Sequence, residues 1–137
     1  MSLVIDSSVA LAWVHADETT AAVQLVFERV AVEGAWVPSL WRLEIANSLE
    51  MAVRRGRVAR DLLDSTLADL STLPINMDPE TDRQAWGPTL RLAARYGLSV
   101  YDAAYLEIAS RRALPLATLD DALRSAAQQH QIALLGK

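Results

Sequence analysis

The sequence has no cysteine, and its 137 residues include only two histidines and one lysine, Lys137. The absence of cysteine excludes disulfide bonds, thiolate nucleophiles and zinc or iron–sulfur sites with cysteine ligands. Any metal ion would therefore be held by oxygen atoms or by the histidines. No apolar run approaches the roughly 18 residues of a membrane span. Asp6 lies where a signal peptide would carry its apolar region. We therefore expect a cytoplasmic protein without membrane association.

Several catalytic motifs are also missing. No serine lies in a nucleophile elbow, and no glycine-rich loop of the P-loop or dinucleotide-binding type occurs in the sequence. Serine hydrolase, NTPase and Rossmann dehydrogenase functions therefore lack support.

The composition favours one domain over residues 1–137, because the chain is long enough for one core and has no linker or low-complexity segment. The net charge of -4 argues against a protein that binds nucleic acid through bulk charge alone. The basic residues are nevertheless clustered, in runs consisting of Arg54, Arg55, Arg57 and Arg60, and of Arg111 and Arg112.

The segment from Leu3 to Ser8 organises the chain. Leu3-Val4-Ile5 is a short apolar stretch rich in β-branched residues, and it predicts a buried strand that ends at Asp6. Ser7 and Ser8 are good N-cap residues for a helix through Val14. In open α/β sheets, such corners between a strand and a helix are places where ligands bind.

The remaining chain alternates predicted helices and strands. We expect an α/β domain with a mainly parallel sheet. The predicted elements are a helix from Asp17 to Gly34, a strand at Ala35–Val37, helices from Ser39 to Arg55 and from Ala59 to Leu73, at most a short extended piece at Pro74–Met77, a helix from Pro79 to Gly97 that Gly87-Pro88 kinks or divides, a helix from Ser99 to Arg112, a strand at Leu114–Thr118, a helix from Asp120 to Gln129 and a strand at Ile132–Leu135. The helical spacing favours a core position for Trp86.

Four acids could meet at one edge of this sheet. Asp6 and Asp120 follow apolar strands, Asp102 lies in the first turn of a helix, and Glu44 lies on a helix face beside apolar residues. A carboxylate cluster without histidine or cysteine is the hard-oxygen environment that suits Mg2+ or Mn2+.

A structural interpretation of these acids is also open. Ser99-x-x-Asp102 and Thr118-x-x-Asp121 both fit a capping box, in which the acid serves the helix start. The pattern leaves Asp102 undecided and favours the cap for Asp121. Asp6 has no comparable local explanation, since an acid that ends a buried strand is desolvated without an evident partner.

Taken together, four segments resemble the PIN-domain ribonucleases, most closely the VapC-type toxins of bacterial toxin–antitoxin pairs. They are Val4-Ile5-Asp6-Ser7-Ser8, Pro38-Ser39-Leu40 with Glu44 and Asn47, Leu98–Leu106, and Leu116-Ala117-Thr118-Leu119-Asp120. The resemblance implies a PIN-like three-layer fold, with a small parallel sheet between helices, and an endoribonuclease dependent on Mg2+ or Mn2+.

The resemblance also implies roles for single residues. Asp6, Asp102 and Asp120 would be direct or water-bridged metal ligands, with Glu44 as a second carboxylate that orients water or completes the ligand shell. Ser8 and Thr118 would hydrogen-bond these acids, Asn47 would be a neighbouring polar residue, and Asp121 would be an additional, non-essential ligand.

The partners implied by the resemblance are an RNA substrate, a second copy of the chain in a homodimer and a cognate antitoxin. The antitoxin would occupy a groove among the early helices and the basic hairpin from Trp41 to Leu73, where Trp41 would also contact RNA or antitoxin. The arginine run Arg54, Arg55, Arg57 and Arg60 would then contact RNA or antitoxin, although a solvated helix end remains an alternative for such a run.

Two other functions compete with the nuclease. A receiver-like phosphoacceptor would need paired acids after the first strand and a lysine after a late strand, whereas Asp6 stands alone and Lys137 is the only lysine. A PIN-fold interaction scaffold without activity is the other alternative, and the presence of all four acids argues against it.

Overall fold

Five short parallel strands form a single sheet in the computed structural model, which describes residues 1–137. In sheet order they are β3 (Ile75–Met77), β2 (Ala35–Val37), β1 (Leu3–Ile5), β4 (Leu116–Ala117) and β5 (Leu134–Leu135). Every pairing is parallel, with Val4 opposite Trp36 on one side and Leu116 on the other. The predicted α/β class with a parallel sheet is confirmed.

Eight α-helical segments surround the sheet. They are α1 (Ser7–Val14), α2 (Ala21–Glu33), α3 (Trp41–Arg54), α4 (Arg60–Ser71), α5 (Thr81–Gln84), α6 (Leu90–Tyr96), α7 (Val100–Arg112) and α8 (Asp121–Gln129), with a 3-10 turn at Ala16–Glu18. Leu3, Val4 and Ile5 are each 0% exposed. Because successive strand side chains point to opposite faces, helices must cover both faces of the sheet, which gives three layers. No helix is both long and apolar enough to cross a lipid bilayer.

Gly87-Pro88 neither divides nor ends its helix. Residues Ala85–Thr89 form a π-helical turn that joins α5 to α6. Proline has no backbone N–H to donate to the preceding turn, and the wider turn accommodates this loss. The turn also shifts the side-chain register, so Trp86 leaves the apolar stripe and is 94% exposed. The predicted core position of Trp86 is therefore wrong.

A buried ionic network joins α7 to the end of β3. Asp78 is only 1% exposed and accepts hydrogen bonds from Arg111 (Nη2 to Oδ2, 2.5 Å) and from Arg112 (Nη2 to Oδ1, 2.8 Å). Arg111 also bonds the buried Glu107 at 2.9 Å, and the Arg112 guanidinium lies 3.5 Å from the ring centre of Trp36. The Arg111-Arg112 pair is thus neutralised within the fold.

We predict that Asp78→Asn destabilises the protein by about 2–3 kcal/mol, because it leaves two partly buried guanidinium groups without their shared anion. Burial alone would raise the pKa of Asp78, but the bonds from Arg111 and Arg112 outweigh it and lower that pKa below its ordinary value. Stability that depends on ionised Asp78 is therefore present at neutral pH and lost as pH falls through the lowered pKa. Urea unfolding at pH 7 and at low pH measures both effects.

Asp64→Asn is the matched control, since Asp64 is exposed on α4. Equal unfolding free energies for Asp78→Asn and Asp64→Asn at pH 7 would contradict the importance of the network.

Candidate active site

Asp6 is the buried centre of the site. It follows β1, is 4% exposed, and its backbone N–H bonds Ala117 O at 2.9 Å, which ties it to β4. Its Oδ2 accepts hydrogen bonds from Ser8 Oγ at 2.7 Å and Thr118 Oγ1 at 2.8 Å. Burial raises the pKa of Asp6, and these hydroxyls offset only part of the effect.

The two hydroxyl groups have little freedom. Ser8 Oγ accepts from the N–H of Leu119 at 3.0 Å, and Thr118 Oγ1 accepts from the N–H of Asp120 at 3.1 Å. Each hydroxyl has a single hydrogen to donate, and the Asp6 carboxylate is a nearer acceptor than the other hydroxyl, which lies 3.5 Å away. The loops after β1 and β4 therefore hold the Asp6 carboxylate in one orientation.

Asp120 lies near Asp6, where its negative charge helps to raise the pKa of Asp6. It is the N-cap of α8, and its Oδ2 accepts from the N–H of Leu123 at 2.8 Å. Thr118 does not cap this helix, contrary to the capping-box interpretation, because its hydroxyl is used by Asp6. The next residue, Asp121, is paired with Lys137 at 2.9 Å, and this bond lowers its pKa.

Asp102 approaches Asp6 and Asp120 from α7. Ser99 caps this helix, its Oγ accepting from the N–H of Asp102 at 3.0 Å. The cap thus uses the backbone of Asp102 and does not account for its half-buried carboxylate. Burial, followed by the negative charges of Asp6 and Asp120, raises the pKa of Asp102. Asp102 therefore lies in a capped first turn and is also close to other acids, and its role as a site residue stays a prediction.

Glu44 completes the acidic cluster from α3, and Tyr105 holds it there. The fully buried Tyr105 donates its hydroxyl hydrogen to Glu44 Oε1. Burial raises the pKa of Glu44 despite this bond, and the charges of Asp6 and Asp102 add to the increase. The sequence analysis did not predict this contact of Tyr105. Its position one helical turn after Asp102 was the available signal.

A family model described as PIN domain matches residues 3–129. The chain belongs to the PIN domain family. The fold agrees, since the crystal structure of PAE2754 from Pyrobaculum aerophilum superposes with a TM-score of 0.64, at 24% identity over 92% of this chain and 84% of that one. No curated protein gives a significant match. PIN domains are generally metal-dependent nucleases.

The acids suit a hydrated divalent ion. No three histidine, cysteine, aspartate or glutamate side chains come close enough together to ligate one ion directly. Mg2+ usually keeps several waters and takes only one or two carboxylates in its first shell, with substrate phosphate completing it. Direct binding by Asp6 and one neighbouring acid would match that preference. The remaining acids would then contact the ion through water. All the donors are oxygen atoms, which excludes a site built for a soft metal.

Other residues predicted for function lie outside the cluster. Asn47 is exposed on α3, in a surface depression that Arg55 and Arg57 also line. Within the arginine run, Arg54 and Arg60 pair with Glu50, and Arg57 pairs with Asp17 and Glu18. Arg55 alone has no carboxylate partner within 4.0 Å, so most of the run's charge is offset by the chain itself.

Trp41 is 5% exposed and packs in the core at the start of α3. Its indole nitrogen has no hydrogen-bond partner. The side chain also borders an apolar groove between α3 and α4, with Ile45, Leu67 and Leu70.

We predict that Asp6→Asn stabilises the metal-free protein at pH 7 by about 1 kcal/mol, or about 4 °C in Tm. A carboxyl whose pKa folding raises weakens the fold when ionised, so stability falls as pH rises from about 4 through the raised pKa. The variant removes this charge and its repulsion of Glu44 and Asp102, and asparagine still accepts the two hydroxyl bonds. Melting curves at pH 4 and 7 in EDTA measure the difference, which should be smaller at pH 4.

Millimolar Mg2+ should raise the Tm of the wild type and leave that of Asp6→Asn unchanged. Asp64→Asn should respond to Mg2+ as the wild type does. Identical wild-type curves with EDTA and with Mg2+ would rule out the metal site.

Proposed function

We propose that this PIN domain is a divalent-metal-dependent endoribonuclease and the toxin of a toxin–antitoxin pair. One observation carries the nuclease proposal. Asp6, Glu44, Asp102 and Asp120 have no arginine, lysine or histidine within ion-pair distance, although burial and mutual repulsion raise the pKa of three of them.

The contrast with the other buried acids supports this proposal. Asp78 and Glu107 are also buried, and arginines of α7 neutralise both. Two carboxylates about 5 Å apart repel by roughly 3 kcal/mol at an effective dielectric constant near 20. The chain supplies no positive charge that would offset the repulsion among these acids at the edge of the sheet. A bound cation would offset it.

The four acids would divide the work. Asp6, Asp102 and Asp120 would hold Mg2+ or Mn2+, directly or through water, and the bound ion would polarise a phosphodiester and lower the pKa of an attacking water. The hydroxyls of Ser8 and Thr118 keep the Asp6 oxygen directed at the site. Glu44, held by Tyr105, would orient the water for attack in line with the departing oxygen. The reaction needs no protein nucleophile.

The toxin role rests on the resemblance to VapC-type proteins and on the α3–α4 groove. Six of the eight residues lining that groove are hydrophobic, and Arg42 lies among them. A helical antitoxin segment with an apolar face and acidic residues would fit this surface. We further propose a homodimer working on RNA in the cytoplasm, and light scattering of the purified protein would measure the oligomeric state.

We predict that Asp6→Asn, Asp102→Asn and Asp120→Asn each reduce metal-dependent cleavage of RNA by at least about 10³-fold, because each removes charge needed to hold the ion. Removing single groups of such charge-stabilising sites costs on this order. The measurement is cleavage of total RNA and of a labelled single-stranded oligonucleotide with Mn2+, with EDTA as the blank. Circular dichroism checks that each variant is folded.

Asp64→Asn should cleave at the wild-type rate. Undiminished metal-dependent cleavage by Asp6→Asn or Asp102→Asn would refute the assigned role. A wild-type protein that binds metal but cuts no RNA would instead favour the interaction scaffold.

We predict that Tyr105→Phe lowers activity by about 10- to 100-fold, the usual loss when a group orienting a metal-site residue is removed. The substitution deletes one hydroxyl and keeps the ring, so the Glu44 carboxylate loses its donor while the core remains filled. Steady-state cleavage as a function of Mn2+ concentration separates a weaker metal affinity from a slower reaction. Tyr101→Phe, which alters the exposed neighbouring tyrosine, is the control. Equal rates for Tyr105→Phe and wild type would show that the bond is not used.

A further inference from the structure

A second cleft lies away from the acidic cluster, between α6, α7 and the end of α8. It has a volume of about 570 Å³, within the range of small-molecule pockets. Its polar lining includes Arg91, Arg95, Ser110, Arg111 and His130, together with one acid, Glu107. Only one of its nine lining residues is hydrophobic.

Arg91 and Arg95 give this cleft its charge. They lie one helical turn apart on α6, and neither has a carboxylate within 4.0 Å, whereas seven other arginines of the chain do. Like charges at this spacing destabilise a helix. A bound anion would relieve that repulsion.

The opposite wall of the cleft is fixed in place. Arg111 is held by Asp78 and Glu107, so its charge is offset. The His130 ring is held between Tyr96 Oη at 2.7 Å and Ser110 Oγ at 3.4 Å. The positive charge on Arg91 and Arg95 therefore faces a preformed polar wall.

An exposed indole lies on the same helical stretch as the cleft's first lining residues. Trp86 is 94% exposed on the π turn, two residues along the chain from Gln84 and from Pro88, and does not itself line the cleft. The Arg91 side chain lies over the same turn, with Nη1 3.8 Å from where a Cβ on Gly87 would be. Proteins that bind single-stranded nucleic acid combine a positive groove for phosphates with an aromatic side chain that stacks on a base.

We propose that this cleft, together with Trp86, is a binding site for single-stranded RNA outside the catalytic acids. Arg91 and Arg95 contact phosphates, and the Trp86 indole stacks on a base. The inference rests on the proposed ribonuclease function for its choice of nucleic acid. α7 runs from Asp102 to Ser110 and α8 from Asp120 to the residue before His130, which puts the cleft about 12–15 Å along both helices from the acids. RNA held there extends beyond the scissile phosphate.

The experiment measures RNA binding without cleavage. The Asp6→Asn protein, inactive under the proposed function, is titrated with a fluorescein-labelled single-stranded RNA at several salt concentrations. Adding Arg91→Gln and Arg95→Gln should weaken binding and reduce the slope of log K against log salt by about 1.4, for two lost phosphate contacts. Adding Trp86→Ala should weaken binding about fivefold or more.

Arg29→Gln with Lys137→Gln is the matched control, because it changes the net charge equally on α2 and at Lys137, outside the cleft. This control should keep the affinity and the salt slope of the Asp6→Asn protein. Equal effects of the two double variants would overturn the proposal, since binding would then follow overall charge. Displacement of the RNA by inorganic phosphate at constant ionic strength would also overturn it and indicate a site for a lone phosphate. If Trp86→Ala changes the oligomeric state without reducing the affinity for RNA, the proposal is also overturned.

Cleavage assays separate this inference from the proposed function. If the wild type cleaves RNA but substitution of Arg91, Arg95 or Trp86 does not change RNA binding, only the proposed role of the cleft is overturned. Binding that depends on these residues, in a wild type that cuts no RNA with Mn2+, supports the cleft and overturns the nuclease.

Discussion

Electrostatic repulsion among unpaired carboxylates is the constraint around which this PIN domain is built. The parallel sheet brings the ends of β1 and β4 to one edge, and the helices α3 and α7 add one acid each. The fold supplies hydroxyl and phenol donors to these acids, from Ser8, Thr118 and Tyr105, but no positive charge. Neutral donors orient a carboxylate without neutralising it, so the cluster keeps its negative charge.

The same fold neutralises its other buried acids completely. Asp78, at the end of β3, is surrounded by guanidinium groups of α7, one of which also stacks on Trp36. α7 therefore takes part in both arrangements, the acids held by neutral donors and the acids paired with arginines. Its first turns supply Asp102 and Tyr105 to the acidic cluster, and its last turn supplies the arginines that bind it to the sheet. A helix fixed at its far end keeps its near end in register with the acids, so the ionic network contributes to the geometry of the site.

The fold also pairs some arginines with carboxylates and leaves others without a carboxylate partner. The run around Gly56 reads as a positive patch in the sequence, yet Glu50, Asp17 and Glu18 take up most of its charge. Arg91 and Arg95 form no conspicuous run, yet both line a cleft and neither has a carboxylate within 4.0 Å. Clustering along the chain is therefore a poor guide to where this protein presents positive charge, because long side chains find partners from distant segments.

The sequence by itself determined the alternation of strands and helices, the parallel sheet and the acids that follow its strands, because these depend on local apolar periodicity and capping. Helix starts at Ser99 and Asp120 follow from short-range hydrogen bonds that a few residues specify. Only the tertiary structure decided that Tyr105 bonds Glu44 and that Asp78 binds two arginines. Those contacts join residues 33 to 61 positions apart, and no local pattern encodes them. The exposure of Trp86 was decided there too, since the π turn at Gly87-Pro88 changes which side chains share a helix face.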